Sequence, residues 1–197
     1  ARAGHAAAQM GLGTAYESGY GPLDINYAAA HHWMVMGAQN YNPVAARMLG
    51  YYSEYGTGTA VDFNQAAYWY DKALERGEIE AAVWLGLLHI QGKGVPQNLA
   101  RGIDLIKLGA EQGDTNAMFN LGNYYRMGIG VPFDTGQARF WLRKAAARGD
   151  EDAVTVLAYM DEVDRRYASM PAGSGNGRAG ASGPSFSDAA MEAHRRQ

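Results

Sequence analysis

Two adjacent histidines, His31 and His32, are the residues that most readily suggest chemistry in this chain. Neighbouring positions on a helix point in different directions, so the pair cannot close on one metal ion; that needs a spacing of i, i+4, and no HExxH occurs. His89 stands alone and reads as a packed core histidine. The pairs Gly56/Gly58, Gly92/Gly94 and Gly128/Gly130 have the look of phosphate loops. A phosphate loop follows a strand and opens a helix, whereas these follow helical stretches. There is no GxSxG, no Walker sequence and no zinc-ligand spacing. Glu54, Glu80, Glu111, Asp150, Glu151 and Asp152 do not occupy matched positions that would mark a carboxylate pair. The expectation is therefore a protein without catalytic residues, metal ligands or cofactor, and not an enzyme.

Bulk properties narrow the classes further. The 197 residues carry 17 basic and 20 acidic side chains, a net charge of -3, with no basic stripe for nucleic acid. Hydrophobic residues are 47% of the chain, enough for a core. Cysteine is absent, which excludes disulfides and thiolate metal sites. No apolar run approaches the roughly 18 residues of a membrane span. The compartment stays open, with a bacterial periplasmic or secreted setting slightly favoured over the cytoplasm.

The elements that must position any site are dictated by a repeat. Leu49-Gly50, Leu85-Gly86 and Leu121-Gly122 fall 36 residues apart, and the three Gly-x-Gly pairs keep that interval. Small residues recur at Ala66, Gly102 and Ala138, large ones at Trp69, Leu105 and Trp141, and glycine closes each unit at Gly77, Gly113 and Gly149. An earlier copy holds Leu12-Gly13, Gly19, Gly21, Ala30, Trp33 and Gly37, with one extra residue between Gly21 and Asn26. Each copy reads as helix, turn, helix. Ala81, Leu85 and His89 share one face at i, i+4, i+8. The glycine pair ends the first helix, and Asn26, Asp62, Asn98 and Asp134 are placed to cap the second. The small positions let two helix backbones approach, and the large ones are expected to fill the space beside them. A hairpin this short must stack on its neighbours to bury its apolar face.

The pattern Ala-x3-Leu-Gly-x2-Tyr-x2-Gly-x-Gly-Val, followed by Asp or Asn, Ala, Trp and Ala-Ala-x2-Gly, resembles the Sel1-like repeat of the tetratricopeptide-like superhelices. The segment Gly113 to Arg148 carries it best: Ala117, Leu121-Gly122, Tyr125, Gly128, Gly130-Val131, Asp134, Ala138, Trp141-Leu142 and Lys144-Ala145-Ala146. Departures are mild: Tyr41 replaces a glycine, Ser53 and His89 replace a tyrosine, and Thr59-Ala60 replaces valine. The resemblance implies an all-α, right-handed superhelical solenoid of helix-turn-helix repeats. The expected units span 4–40, 41–76, 77–112 and 113–148, with a capping half-repeat at 149–167.

By the same resemblance the first helices line a concave face. The inward positions lie five and two before, and two, five and six after, the Leu of Leu-Gly. They supply Arg47, Tyr51, Glu54 and Tyr55 in copy two, Val83, Leu87 and Ile90 in copy three, and Phe119, Asn123 and Arg126 in copy four. Tyrosine and arginine anchors among apolar neighbours are the composition of binding hot spots. Copy one, with Ala7, Met10, Thr14, Glu17 and Ser18, is blander.

Both ends differ from the repeat. Ala1-Arg2-Ala3-Gly4 matches the close of a second helix at Ala146-Ala147-Arg148-Gly149, so further repeats are expected before residue 1. Residues 168–197 are expected to form a disordered Gly/Ser/Pro-rich tail, with a short helix over 187–196.

The leading reading is a scaffold or adaptor that captures a peptide or partner helix of another protein, with no nucleic acid and no membrane insertion. The alternatives are a cell-envelope protein, hydrolase-like or β-lactam-binding, and a rigid architectural spacer. Cysteine-rich relatives of the family have been linked to penicillin binding, but this chain lacks the cysteines and every serine-nucleophile motif.

Overall fold

The computed structural model describes residues 2–169, with side chains from His5 onward. The described residues form helices only: α1 (Arg2–Ser18), α2 (Tyr27–Gln39), α3 (Pro43–Tyr55), α4 (Phe63–Glu75), α5 (Ala81–Gln91), α6 (Leu99–Glu111), α7 (Thr115–Met127), α8 (Thr135–Ala146) and α9 (Glu151–Ser169). They divide into two compact units, Ala1–Asp114 and Thr115–Gln197. In the first, three antiparallel hairpins follow one another, α1 with α2, α3 with α4 and α5 with α6. Between hairpins, α2 packs on α3 and α4 on α5. In the second, α7 and α8 make a hairpin and α9 packs on α8. This is the helix-repeat solenoid class. The expected tail beyond Ser169, including the helix over 187–196, lies outside the described residues.

Local chemistry sets the helix limits. The side-chain oxygens of Asn26, Asp62, Asn98 and Asp134 accept from backbone N–H groups of Ala29, Gln65, Arg101 and Gln137 at 2.9 to 3.1 Å, from extended backbone. Asn42 and Asp150 do the same for α3 and α9. Gly56 and Gly92 end α3 and α5 in the left-handed conformation, at φ 75° and 66°. Gly58 and Gly94, the second glycines of these two turns, have a separate task. A Cβ on Gly58 would overlap the Tyr27 carbonyl, and one on Gly94 the Phe63 carbonyl. Each turn therefore lies directly on the first residue of the preceding repeat's second helix.

Equivalent residues build the core of each unit. Ala45, Ala81, Ala117 and Ala153 are fully buried, as are Leu49, Leu121, Ala66 and Ala138. Leu12 of the first copy is partly exposed. Leu105 and Trp141 are buried at the expected large position, but the residue one later is the one buried in every copy. Met34, Tyr70, Ile106 and Leu142 are fully buried, whereas Trp33 and Trp69 are only half-buried. The glycine of Leu-Gly explains the difference. A Cβ on Gly50 would lie 2.5 Å from the Tyr70 ring, and one on Gly122 2.7 Å from Leu142. The later position drives its side chain into the gap that glycine leaves in the facing helix.

Candidate functional site

Helices α3 and α5 carry a connected aromatic array in the first unit. The Tyr51 and Tyr55 rings lie 4.6 Å apart, one turn from each other on α3. Tyr51 meets Trp84 of α5 edge-on at 6.4 Å, and Trp84 stacks on Tyr70 of α4 at 6.3 Å and 16°. Tyr70 is fully buried, yet Tyr51 is 37% and Tyr55 54% exposed. The array thus begins in the core and ends in solvent.

Polar contacts hold α3 in place around it. Tyr70 Oη donates to Glu54 at 2.8 Å. Burial, then the Glu54 carboxylate, push the Tyr70 hydroxyl far above its usual range, so it stays a donor. Arg47 Nε donates to Glu78 at 2.8 Å and Nη2 approaches Glu80 at 3.3 Å, tying α3 to the turn before α5. Arg47 and Glu54 are thereby committed to internal contacts, while Tyr51 and Tyr55 keep open surface.

The remaining residues expected on this face fall into different surroundings. Val83 is buried in the core. Leu87 is half-buried, and Ile90 packs against Gly102 of its own hairpin, where an added Cβ would lie 2.5 Å away. In the second unit Phe119, Asn123 and Arg126 lie half-buried along α7. Arg126 donates to Asn123 Oδ1 from Nε and Nη2 at 3.2 and 3.1 Å. The sequence reading passed over Trp84 and Tyr70. The signal for Tyr70 is the 36-residue column Met34, Tyr70, Ile106 and Leu142, which changes residue type at every step.

Other features compete for attention. A shallow depression of about 420 Å³ lies along the turns Gly77–Glu80 and Gly109–Asp114. On the second helices, Tyr68 and Phe140 are about half exposed, each edge-on to the tryptophan that follows it. His31 faces Tyr52 at 6.4 Å and His32 lies against Trp33. His89 Nδ1 is buried without a hydrogen-bond partner among the described residues. No group of three or more metal-ligating side chains occurs among the described residues, and no described helix is long and apolar enough to cross a membrane.

Four consecutive segments, 6–42, 43–78, 79–114 and 115–150, match the Sel1 repeat. The chain belongs to the Sel1 repeat family. It is similar in structure to a Sel1 repeat protein from Oxalobacter formigenes, at 34% identity and a TM-score of 0.71, over 77% of this chain and 60% of that one. It is also similar to a protective antigen of uropathogenic Escherichia coli with an SLR fold, at 26% identity and a TM-score of 0.74, over 97% of this chain and 37% of that one. The chain therefore spans less than two thirds of either relative. Helicobacter pylori cysteine rich protein B, at 20% identity and a TM-score of 0.52, over 64% of this chain and 96% of that one, shares the fold alone. Sel1 repeats are in general protein-interaction modules, and the all-helical repeat fold expected from the sequence is the one observed.

Proposed function

We propose that this chain is a non-catalytic scaffold that binds a peptide or a helix of another protein on the face of its first helices, with Tyr51 and Tyr55 as the anchors. The observation that carries this reading is the exposed tyrosine pair at 4.6 Å, backed by Trp84 and the buried Tyr70. A ring pair already fixed by its neighbours loses little freedom on binding, so more of the contact energy survives as affinity. Tyrosine anchors of this kind are worth ~2 kcal/mol or more each. The commitment of Arg47 and Glu54 to internal bonds assigns them a supporting role. No observation favours the envelope-hydrolase alternative over this reading.

Random peptides selected on the wild-type chain supply the test. Their affinities are then measured by calorimetry on Tyr51→Ser/Tyr55→Ser and, as a control on the second helices, on Tyr68→Ser. The reading expects at least about a thirtyfold loss for the first variant and little change for the second. Undiminished binding to Tyr51→Ser/Tyr55→Ser removes it.

A further inference from the structure

Helix α9 is the first helix of a repeat whose second helix does not fall among the described residues. Ala153 and Leu157 fix its register, 36 residues after Ala117 and Leu121. In the other repeats the glycine after the leucine faces the repeat's own second helix, as Gly50 faces Tyr70 and Gly122 faces Leu142. One turn earlier, on the same face, Ala46, Ala82 and Met118 are buried. The equivalents in α9 are Ala158 and Val154. Ala158 is exposed and Val154 is 54% exposed. α9 packs on α8, and the face that would meet a second helix stands open.

The sequence beyond Ser169 holds a match for that helix. Ser185-Phe186-Ser187-Asp188-Ala189-Ala190 follows the order of Asp62-Phe63-Asn64-Gln65-Ala66-Ala67 at the start of α4: a cap residue, phenylalanine, two polar residues and a pair of alanines. Serine is a preferred cap, and an acid three residues on completes a capping-box pattern. Ala66 and Ala67 are both buried. Three residues later Met34, Tyr70, Ile106 and Leu142 set a large side chain against the glycine of the first helix. Here the segment has Ala193, and α9 has Ala158 in place of the glycine. A large residue would collide with the Ala158 methyl, since a Cβ on Gly50 comes to 2.5 Å from the Tyr70 ring. Alanine against alanine removes that collision, so the two sides of the contact differ from the other repeats in compensating directions. The match departs at Arg196, which stands where α4 buries Ala73. In an antiparallel hairpin that position lies towards the start of α9, where Glu151 and Asp152 are exposed and carry the opposite charge.

The connection is long enough. In other repeats the cap residue of the second helix donates its backbone N–H four residues past the leucine, as Asp62 does to Ser53 and Asp134 to Tyr125. Ser185 would have to reach Asp161, about 12 Å back along the helix from Ser169. The fifteen residues 170–184 span up to about 50 Å. We propose that residues 185–196 are the second helix of the α9 repeat and dock on its Val154–Ala158 face, with Ala193 against Ala158. The inference owes nothing to Tyr51 or Tyr55.

Hydrogen exchange on the full chain, read by NMR, is the first test. The amides of Ala190 to Ala193 should exchange at least about tenfold more slowly than in a peptide of residues 184–197, because a helix of that length is marginal in water without a partner. Exchange as fast as in the peptide overturns the proposal, and this comparison needs no variant. Cysteine pairs then locate the contact in a chain that has no cysteine of its own. In glutathione buffer Ala158→Cys/Ala193→Cys should close a disulfide within one molecule at least about tenfold more readily than Tyr159→Cys/Ala193→Cys, whose α9 position lies about 100° around the helix. Equal closure by the two pairs means a segment that visits α9 without docking. Closure between two molecules gives the face to a second copy. Either result overturns the proposal. Ala193→Tyr should lose the exchange protection and Ala158→Gly/Ala193→Tyr should regain it; protection that survives Ala193→Tyr also overturns the proposal.

Discussion

Replacing Gly94 by alanine should cost far more than replacing Gly77 by alanine, although both have positive φ. Gly77 sits at φ 88° with nothing within 4 Å of an added Cβ. Its substitution pays only for the left-handed backbone, about 1 kcal/mol. Gly94 sits at φ 69°, so that term is similar, but its Cβ would overlap the Phe63 carbonyl and lie 2.7 Å from the Asn64 amide nitrogen. Those are backbone atoms at the capped start of α4 and cannot rotate away. Relief requires the turn to lift off the preceding repeat, which adds at least ~2 kcal/mol of lost packing and strain. The expected cost is therefore about 3–4 kcal/mol against about 1. With a urea slope of ~2 kcal/mol per molar, the two midpoints should differ by roughly 1 M. Tryptophan fluorescence reports the unfolding, because Trp69 and Trp84 flank the affected hairpins. If Gly94→Ala costs no more than Gly77→Ala, the turns do not hold the repeats together as described.

Three further outcomes follow from individual side chains. Tyr70→Phe removes the bond to Glu54 and should cost ~1–2 kcal/mol at pH 8 in urea titrations. Because the unfolded chain releases this proton near the ordinary value of 10.0 and the folded chain retains it, stability is present below that pH and is lost above it. The phenylalanine variant escapes that loss, so its deficit should shrink by about 0.8 kcal/mol at pH 10.5; a constant deficit contradicts the assignment. Burial, and then the neighbouring His32, lower the His31 pKa below 6.5, so the folded chain takes up this proton less readily than the unfolded one and stability falls as pH drops below 6.5. In His31→Gln the melting temperature should change less between pH 7.5 and 5.5 than in wild type. Tyr41 has φ 66° where the other repeats place glycine, and it is 71% exposed with Arg76 5.0 Å from its ring centroid. Tyr41→Gly should relieve ~1 kcal/mol of strain and lose ~0.5 kcal/mol of cation–π contact. Calorimetry should therefore show a rise of roughly 1–3 °C, and a fall would refute the strain.

The repeat was legible because it is written in glycine, alanine and cap residues, whose conformational demands do not depend on neighbours. The left-handed turns at Gly56 and Gly92 and the caps at Asn26, Asp62, Asn98 and Asp134 lie where the 36-residue spacing puts them. The site was less legible because it depends on how side chains of different repeats meet. Spacing can place Arg47 and Glu54 on a helix face, but not say that Glu78, Glu80 and Tyr70 have already engaged them. The same holds for Val83, which is buried. Trp84 was passed over because its partner Tyr70 belongs to a column whose residue type drifts, so identity matching does not reveal it.

Chemical footprinting tests the binding account most directly. The wild-type chain is nitrated at its tyrosines with tetranitromethane, alone and saturated with a selected peptide, and each site is quantified by mass spectrometry. Tyr51 and Tyr55 should react in the free protein and be protected in the complex, while the exposed Tyr20 and half-exposed Tyr68 react equally in each. A complex that protects Tyr68 and leaves Tyr51 and Tyr55 open would place the partner on the second helices and contradict the account.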